Sequence, residues 1–377
     1  MTCPAEQTEQ PEQAADPADP GPRDAAKEFR LRWLRRVAIV CWAAAVVGLA
    51  VTRTLSFGTT YILLIVGTGI AALSIGRRNV LLVARDWLPF GILLGVYDMT
   101  RGLTAFVGMP TQWHLGPDVD QAIFGVVPTV WLQSHLKHAA PQWWEVITSV
   151  VYMSYFIVPF AVAGWLWLKD RTAWRKYVTR FVALFFLGLV GFVMVPAAPP
   201  WAAARCSASE VADGPPFPHC ITQPATTATN GGVIGVVHPR DPQAAPYVER
   251  ISSRGWDTLH IGPVKKVVEV GDDRSNQVAA IPSLHTGVIV LVALFLWPRV
   301  RARWRPLLAA YPLAMAFTLV YAGEHYVFDA LTGALLAVLV MTVCGVIERW
   351  WERRRGRDRT VDDSNAEPVE KIAAGAE

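Results

Sequence analysis

Two apolar segments of the chain each begin with a histidine. One reads AIPSLHTGVIV from Ala280, and the other reads GEHYVFDALTGALLA from Gly323. The second segment also carries a glutamate and an aspartate. Ionisable side chains are costly within a membrane, and those that occur there commonly mark functional sites. The position of these groups at the start of long apolar stretches therefore suggests that they perform chemistry.

The spacing of His325 and Asp329 suits an activated nucleophile. Residues four apart share a face of a helix, and helical side chains lean toward the N-terminus, so the Asp329 carboxylate can reach the imidazole. A carboxylate on one ring nitrogen fixes the tautomer and leaves the other nitrogen as a nucleophile. His285 could then protonate the leaving oxygen and later deprotonate an incoming hydroxyl. This pattern predicts phosphoryl transfer through a phosphohistidine, with no metal ion and no other cofactor.

Other interpretations fit some of these residues. Two histidines and a carboxylate are also a ligand set for Fe(II) or Zn, although neither segment contains a conventional metal-ligand run. The His325–Asp329 pair could instead be a structural contact in a membrane transporter or scaffold, but no apolar stretch carries a polar stripe along its length. Glu324, beside the predicted nucleophile, is expected to be a solvated residue at the rim of the site.

The composition indicates a multi-pass membrane protein. Of 377 residues, 53% are hydrophobic and only 18% are charged, whereas a soluble domain has roughly 25% charged residues. The apolar runs are roughly 17–22 residues long, which suits a helix that crosses a bilayer. The sequence predicts an all-α, polytopic membrane helix bundle of eight spans, the last six forming the catalytic core. The predicted spans are residues 34–52, 59–76, 80–100, 145–168, 178–196, 283–298, 306–322 and 325–347.

Basic residues predict the orientation of these spans, because cytoplasmic loops are enriched in Lys and Arg. Every second boundary between spans is basic. The basic boundaries are residues 30–36, 77–78, 169–180, 299–305 and 349–359. Both termini are therefore predicted to be cytoplasmic, and His285 and His325 are predicted to lie at the extracytoplasmic face of the cell membrane.

The chain divides into four predicted parts. Its ends are polar, and they are expected to be disordered cytoplasmic tails. Between the tails lie two N-terminal spans and a larger catalytic membrane domain. In chain order the parts are residues 1–30, 31–79, 80–350 and 351–377.

Two segments of the catalytic domain are not spans. Residues 101–143 are amphipathic in places and are predicted to form interfacial or re-entrant helices. Residues 197–281 form a long, Pro- and Gly-rich extracytoplasmic loop, a kind of segment that is usually functional or disordered. Cys206 and Cys220 share this loop, where the compartment permits a disulfide that would stabilise the ordered state by about 3 kcal/mol.

The N-terminal ends of the sixth and eighth spans are predicted to point into one pocket. Their first N–H groups and positive dipole ends would form an anion site, for which phosphate is the natural ligand.

The motifs around the two histidines resemble those of a known family. PSLHTG, followed about 40 residues later by GEHYVFDALTG, resembles the second and third motifs of the type 2 phosphatidic acid phosphatase superfamily. The YAGEHY context, DWLPFGILLGVYDMTRG (residues 86–102) and PAAPPW (residues 196–201) look most like its inositolphosphotransferase branch, which includes fungal inositol phosphorylceramide synthase. The resemblance covers about residues 80–347.

The resemblance implies a role for each matching residue. By analogy, His325 is the nucleophile, Asp329 orients it, His285 transfers protons, and Ser283 contacts phosphate. Tyr326 and Gly287, within the same two motifs, are predicted to bind substrate as well.

The chain also departs from the family pattern. The Ser-Arg pair that often precedes the nucleophile is replaced by Thr318 and Leu319, and the first motif, with its lysine and Arg-Pro, is not recognisable. Another cation must therefore neutralise the phosphate. Arg101 is the predicted phosphate ligand, although it could equally form a structural ion pair with Asp98; Arg205 and Arg274 are weaker alternatives.

The resulting prediction is an integral membrane lipid-phosphate phosphatase or phosphotransferase. Its substrate would be a membrane lipid phosphate, and no nucleic acid partner is expected. A phosphatase lets water attack the phosphohistidine, whereas a transferase presents a polar alcohol, for example to move an inositol-phosphate head group. The long loop could act as a lid that binds such an acceptor. The sequence leaves open which of the two reactions occurs.

Overall fold

The structure, a computed structural model, describes residues 22–51, 59–76, 80–100, 107–222, 230–262, 264–266 and 277–366. Throughout these ranges the regular secondary structure is helical, and the only β-type pairings are isolated bridges of Ala197 with Gln112 and with Ala279. The predicted all-α membrane bundle is confirmed. Its helices of nine or more residues are α1 (Pro22–Val51), α2 (Thr59–Ser74), α3 (Val80–Thr100), α4 (Leu115–Phe124), α5 (Pro128–Leu136), α6 (Trp143–Lys169), α7 (Arg171–Met194), α8 (Leu284–Leu296), α9 (Arg305–Tyr321) and α10 (Val327–Ala366).

Each of the eight predicted spans overlaps one long helix. In α6, in α7 and in the part of α10 up to Arg354, the helix is long and apolar enough to cross a membrane. The helix α8 has 13 residues, three fewer than its predicted span of residues 283–298. At a rise of 1.5 Å per residue it is about 20 Å long, whereas the hydrocarbon core of a bilayer is about 30 Å thick.

The first and last helices extend into the tails that the sequence predicted to be disordered. Helix α1 begins at Pro22 rather than near residue 31, and α10 continues to Ala366 rather than ending near residue 350. The extension of α1 contains Ala, Lys, Glu and Arg, and the extension of α10 is rich in Arg; all four residue types have high helix propensity. The remaining parts of both predicted tails lie outside the described residues.

Aromatic side chains hold α3 against α7 in the middle of the bundle. Trp87 lies 5.7 Å from Trp174 between ring centroids, and Phe90 lies 5.9 Å from Phe181 in an edge-to-face arrangement. These rings belong to one large apolar core that also includes residues of α2, α6, α8 and α10. The core therefore links the helices that surround α8 and α10.

Ion pairs join the helices at the end of the bundle that is predicted to be cytoplasmic. Asp86 of α3 accepts hydrogen bonds from Arg171 and from the indole of Trp167. Arg180 of α7 donates to both oxygens of Glu348 in α10. Because each charge has a partner, these groups serve as structural contacts between helices.

The opposite end of the bundle carries both histidines, and we call it the histidine end. The predicted interfacial segment forms the short helices α4 and α5 there. The described parts of the long loop pack over the same end, and Cys206 and Cys220 form a disulfide within it. Since both sulfur atoms belong to a buried cluster with Trp113 and Trp201, the disulfide stabilises a packed cover.

Candidate active site

Two glycines bring α8 and α10 into close contact at the histidine end. A methyl group added to Gly333 of α10 would collide with the carbonyl oxygen of Ser283. A methyl group on Gly287 of α8 would lie 2.9 Å from the carbonyl oxygen of Gly333. The backbone N–H of Ser283 also donates to the carbonyl oxygen of Asp329, at 3.0 Å. The two family-like motifs therefore touch through their backbones.

The predicted contact between His325 and Asp329 is present. Nδ1 of the imidazole lies 3.4 Å from Oδ2 of the carboxylate, and the two residues are 6% and 0% exposed. This distance is at the long end for a hydrogen bond, as is common in sites without substrate. Because Nδ1 faces the carboxylate, Nε2 is the nitrogen left to attack a substrate.

The reason for this contact differs from the one predicted. His325 does not lie on the helix, because α10 begins two residues later, at Val327. Asp329 is the third helical residue, and its Oδ2 accepts the backbone N–H of Tyr326 at 2.9 Å. An acidic residue at this position commonly reaches back to the residue that precedes the helix. The same reach brings the carboxylate to the imidazole.

His285 lies in the first turn of α8, facing His325. The two ring centroids are 5.6 Å apart, with an angle of 59° between the planes. Two tyrosines of α6 line the other side of the His285 ring, with Tyr155 at 4.1 Å and Tyr152 at 5.4 Å between centroids. The residue as a whole is partly exposed, although its Nε2 atom is buried.

Ser283 caps the N-terminus of α8. Its side chain is fully buried, and its hydroxyl accepts the backbone N–H of Thr286 at 3.4 Å. Serine is among the preferred residues at this position because it satisfies an N–H group that has no partner within the helix. A role for this hydroxyl in binding phosphate stays a prediction.

The other predicted substrate ligands lie in different surroundings. Gly287 packs against α10, as described above. The Tyr326 side chain is 1% exposed and lies against Gly116 of α4, in the cluster beneath the long loop. Packing alone therefore explains why a glycine occurs at position 287 and a tyrosine at position 326. Substrate contacts by Gly287 and Tyr326 stay predictions. Arg101 and Arg274 lie outside the described residues.

Glu324 is buried, which corrects the expectation of a solvated rim residue. It is 6% exposed, and both of its oxygens accept from the guanidinium of Arg250, at 2.8 and 2.9 Å. The hydroxyl of Ser252 donates to the same carboxylate at 2.7 Å. A buried carboxylate requires such partners. Arg250 comes from the long loop, so an arginine that the sequence did not single out lies next to the residue preceding His325.

Cation–π contacts with one tryptophan link Arg250 to a second arginine. The guanidinium groups of Arg250 and Arg205 each lie 5.1 Å from the ring of Trp201. Arg205 also donates to the carbonyl oxygen of Ile221. Arg250 is therefore the described arginine most directly tied to the His325 segment, and Arg205 belongs to the same cluster.

The predicted anion site is wrong for α10. Its first two N–H groups, those of Val327 and Phe328, donate to the carboxylate of Asp120 in α4, and the N–H of Tyr326 donates to Asp329. The protein thus places its own carboxylates where a phosphate was expected. The sequence prediction missed Asp120 because no local pattern links it to a helix about 200 residues away.

No group of three or more His, Cys, Asp or Glu side chains within the described ranges is arranged to hold a metal ion. The alternative of a metal centre formed by the two histidines and Asp329 therefore gains no support from their geometry.

The comparison with protein families identifies the class to which this site belongs. The chain belongs to the PAP2 superfamily, whose family model matches residues 118–343 and so includes both histidine motifs and the long loop. Family membership supports a membrane lipid phosphatase or phosphotransferase over a transporter or scaffold.

Similarity to one relative indicates which branch of the superfamily the chain resembles. The chain is 24% identical over 259 residues to a phosphoinositol dihydroceramide synthase of Bacteroides thetaiotaomicron, an alignment that covers 67% of this chain and 73% of the relative. This agrees with the predicted resemblance to the inositolphosphotransferase branch. No solved structure matches the chain.

Proposed function

We propose that the protein transfers an inositol-phosphate-type head group from a membrane lipid to an alcohol, through a phosphohistidine on His325. The observation that carries this proposal is the meeting of His325, Asp329 and His285 at the ends of two helices that touch through Gly287 and Gly333. The likeness to a phosphoinositol dihydroceramide synthase supports the choice of head group and of a lipid alcohol as the acceptor.

In the first half of the reaction, Nε2 of His325 attacks the phosphorus of the donor lipid. The bond between phosphorus and the lipid oxygen breaks, and His285 gives that oxygen a proton. Asp329 holds the proton on Nδ1 and stabilises the charge that develops on the ring. The products are a free lipid alcohol and a phosphodiester-like adduct on the histidine.

In the second half, His285 accepts the proton of the acceptor hydroxyl. The hydroxyl oxygen attacks phosphorus, the bond from phosphorus to Nε2 breaks, and His325 returns to its neutral form. We assign the neutralisation of the phosphate charge to Arg250, because its partner Glu324 directly precedes His325 in the chain. Fixed charges of this kind stabilise a phosphoryl transition state without reorganisation.

The packing of the long loop favours transfer to an alcohol over hydrolysis. The loop contacts the segment that leads to His325 through its backbone: Ile251 N–H donates to Ala322 O at 3.1 Å, and Trp201 N–H donates to Gly323 O at 3.0 Å. Because a cover at this position limits the access of water, an alcohol that binds beneath it gains an advantage as the acceptor.

A defined lipid assay tests the proposed function. Purified protein in vesicles that contain phosphatidylinositol and a lipid alcohol should form a new phosphoinositol lipid, detected by mass spectrometry. Product formation should survive excess chelator and be inhibited by vanadate, which mimics pentacovalent phosphorus. Release of free inositol phosphate alone would identify a phosphatase. Unchanged lipids, or activity restored only by an added metal ion, would contradict the proposal.

A labelling experiment tests the predicted side of the reaction. The loop residue Gln243 and the basic-turn residue Arg303 are both exposed, and Arg303 lies at the far end of α9 from the histidines. In intact cells, a membrane-impermeant thiol reagent should label Gln243→Cys and leave Arg303→Cys unlabelled. Permeabilised cells, in which both should react, provide the control. The reverse pattern would place the histidines at the cytoplasmic face.

A further inference from the structure

The start of the nucleophile's helix is held by a carboxylate from another part of the chain. Asp120 of α4 accepts the N–H of Phe328 with Oδ1 and that of Val327 with Oδ2, both at 2.9 Å. Its side chain is 0% exposed. A buried carboxylate is costly unless it is fully hydrogen-bonded, so a contact of this kind constrains both partners.

Opposing effects set the protonation of Asp120. Burial raises the pKa of Asp120 to about 6, and the two backbone hydrogen bonds oppose that rise. At neutral pH the group is therefore mainly a carboxylate, with one oxygen for each N–H. Its negative charge also suits the positive end of the α10 dipole.

The same short helix contacts the residue that follows the nucleophile. Gly116, one turn before Asp120 on α4, lies so close to the Tyr326 ring that an added methyl group would collide with it. Helix α4 thus contacts the start of α10 in two places. The carboxylate of Asp120 accepts the first N–H groups of α10, and Gly116 packs against the side chain of Tyr326, which immediately precedes that helix. His325 is the next residue toward the N-terminus, so its backbone position depends on both contacts.

We propose that Asp120 is a positioning residue for the His325 nucleophile, because it fixes where the helix that carries Asp329 begins. The inference rests on the proposed function, since it concerns the same phosphoryl transfer. It assigns to α4, a helix outside the two histidine motifs, a part in aligning the reacting nitrogen with phosphorus.

The test compares Asp120→Asn with Asp118→Asn in the lipid assay. Asparagine has the size of aspartate, but its NH2 group cannot accept, so one of the two α10 N–H groups loses its partner. We expect kcat to fall about 10- to 100-fold, as small displacements of reacting groups do, with KM nearly unchanged. Asp120→Glu, which keeps both acceptor oxygens, should recover part of the lost kcat. Asp118, exposed on the same helix, should tolerate the change.

Rates are normalised to folded protein, measured as the monodisperse fraction in size-exclusion chromatography. A wild-type kcat in Asp120→Asn, or a loss fully explained by unfolded protein, would overturn the inference. Should Asp120→Asn not accumulate, Asp120→Glu carries the same test, because its longer side chain displaces both acceptor oxygens, and a wild-type kcat in that variant would overturn the inference. Inactive wild-type protein would instead count against the proposed function.

Discussion

Turnover by His325→Ala is expected to be reduced by about 10³-fold or more, the scale on which loss of a covalent nucleophile acts in enzymes. The imidazole is 6% exposed and has its Nδ1 directed at Asp329, so alanine removes both the attacking nitrogen and the ring that Asp329 orients. Asp329→Asn should retain more activity than His325→Ala, because an amide oxygen can still accept the Tyr326 N–H while the tautomer of His325 is disturbed.

The measurement has two parts. With a radiolabelled donor lipid, wild-type protein should acquire an acid-labile, base-stable label, and His325→Ala should acquire none. His238→Ala, which changes an exposed histidine of the long loop, should match the wild type in both rate and label. Turnover by His325→Ala at the wild-type rate would show that another residue attacks the phosphorus.

Gly333→Ala is expected to have the second-largest effect, on both stability and turnover. The added methyl group would collide with the Ser283 carbonyl oxygen, and backbone atoms can move only if α8 and α10 separate. Strain of this kind in a packed interior costs about 1–3 kcal/mol. Because the same separation would move His285 away from His325, we also expect turnover to fall by about 10²-fold.

Gly345→Ala on the same helix is the matched control. A methyl group there would lie 3.7 Å from the end of the flexible Arg349 side chain, which is an ordinary contact. Alanine also has the higher helix propensity, by up to about 1 kcal/mol, so this variant should melt at or above the wild-type temperature. Equal melting temperatures and equal rates for the two variants would show that the Gly333 contact does not set the distance between the histidines.

The contact between His325 and Asp329 and the positions of the spans were predictable because their signals are local. His325 and Asp329 are four residues apart, and the apolar length of each span could be counted directly. The helix contact had a local signal too: both motifs contain a Thr-Gly pair, Thr286-Gly287 and Thr332-Gly333. In a membrane, small residues allow helix backbones to approach closely. The sequence prediction did not consider this packing role of Gly287, and substrate binding by Gly287 stays a prediction.

The supporting contacts were not predictable because they join distant parts of the chain. Asp120 meets α10 across about 200 residues, and Arg250 meets Glu324 across 74 residues. Neither Asp120 nor Arg250 lies in a periodic pattern, and charged residues in loops are usually solvated. Burial turned each of these charges into a fixed contact. The prediction of free N–H groups at the start of α10 was wrong because a distant carboxylate occupies them. Helix ends inside a protein need such partners.

The shortness of α8 bears on how lipids reach the histidines. Arg299, three residues beyond the end of α8, is costly to place in hydrocarbon. With Arg299 at one surface of a bilayer about 30 Å thick, a helix about 20 Å long ends beneath the opposite surface. A phospholipid would then meet the nucleophile from the side, within its own leaflet, while its acyl chains stay among their neighbours. Lateral diffusion and leaflet thickness, more than solubility in water, would govern the supply of both reactants.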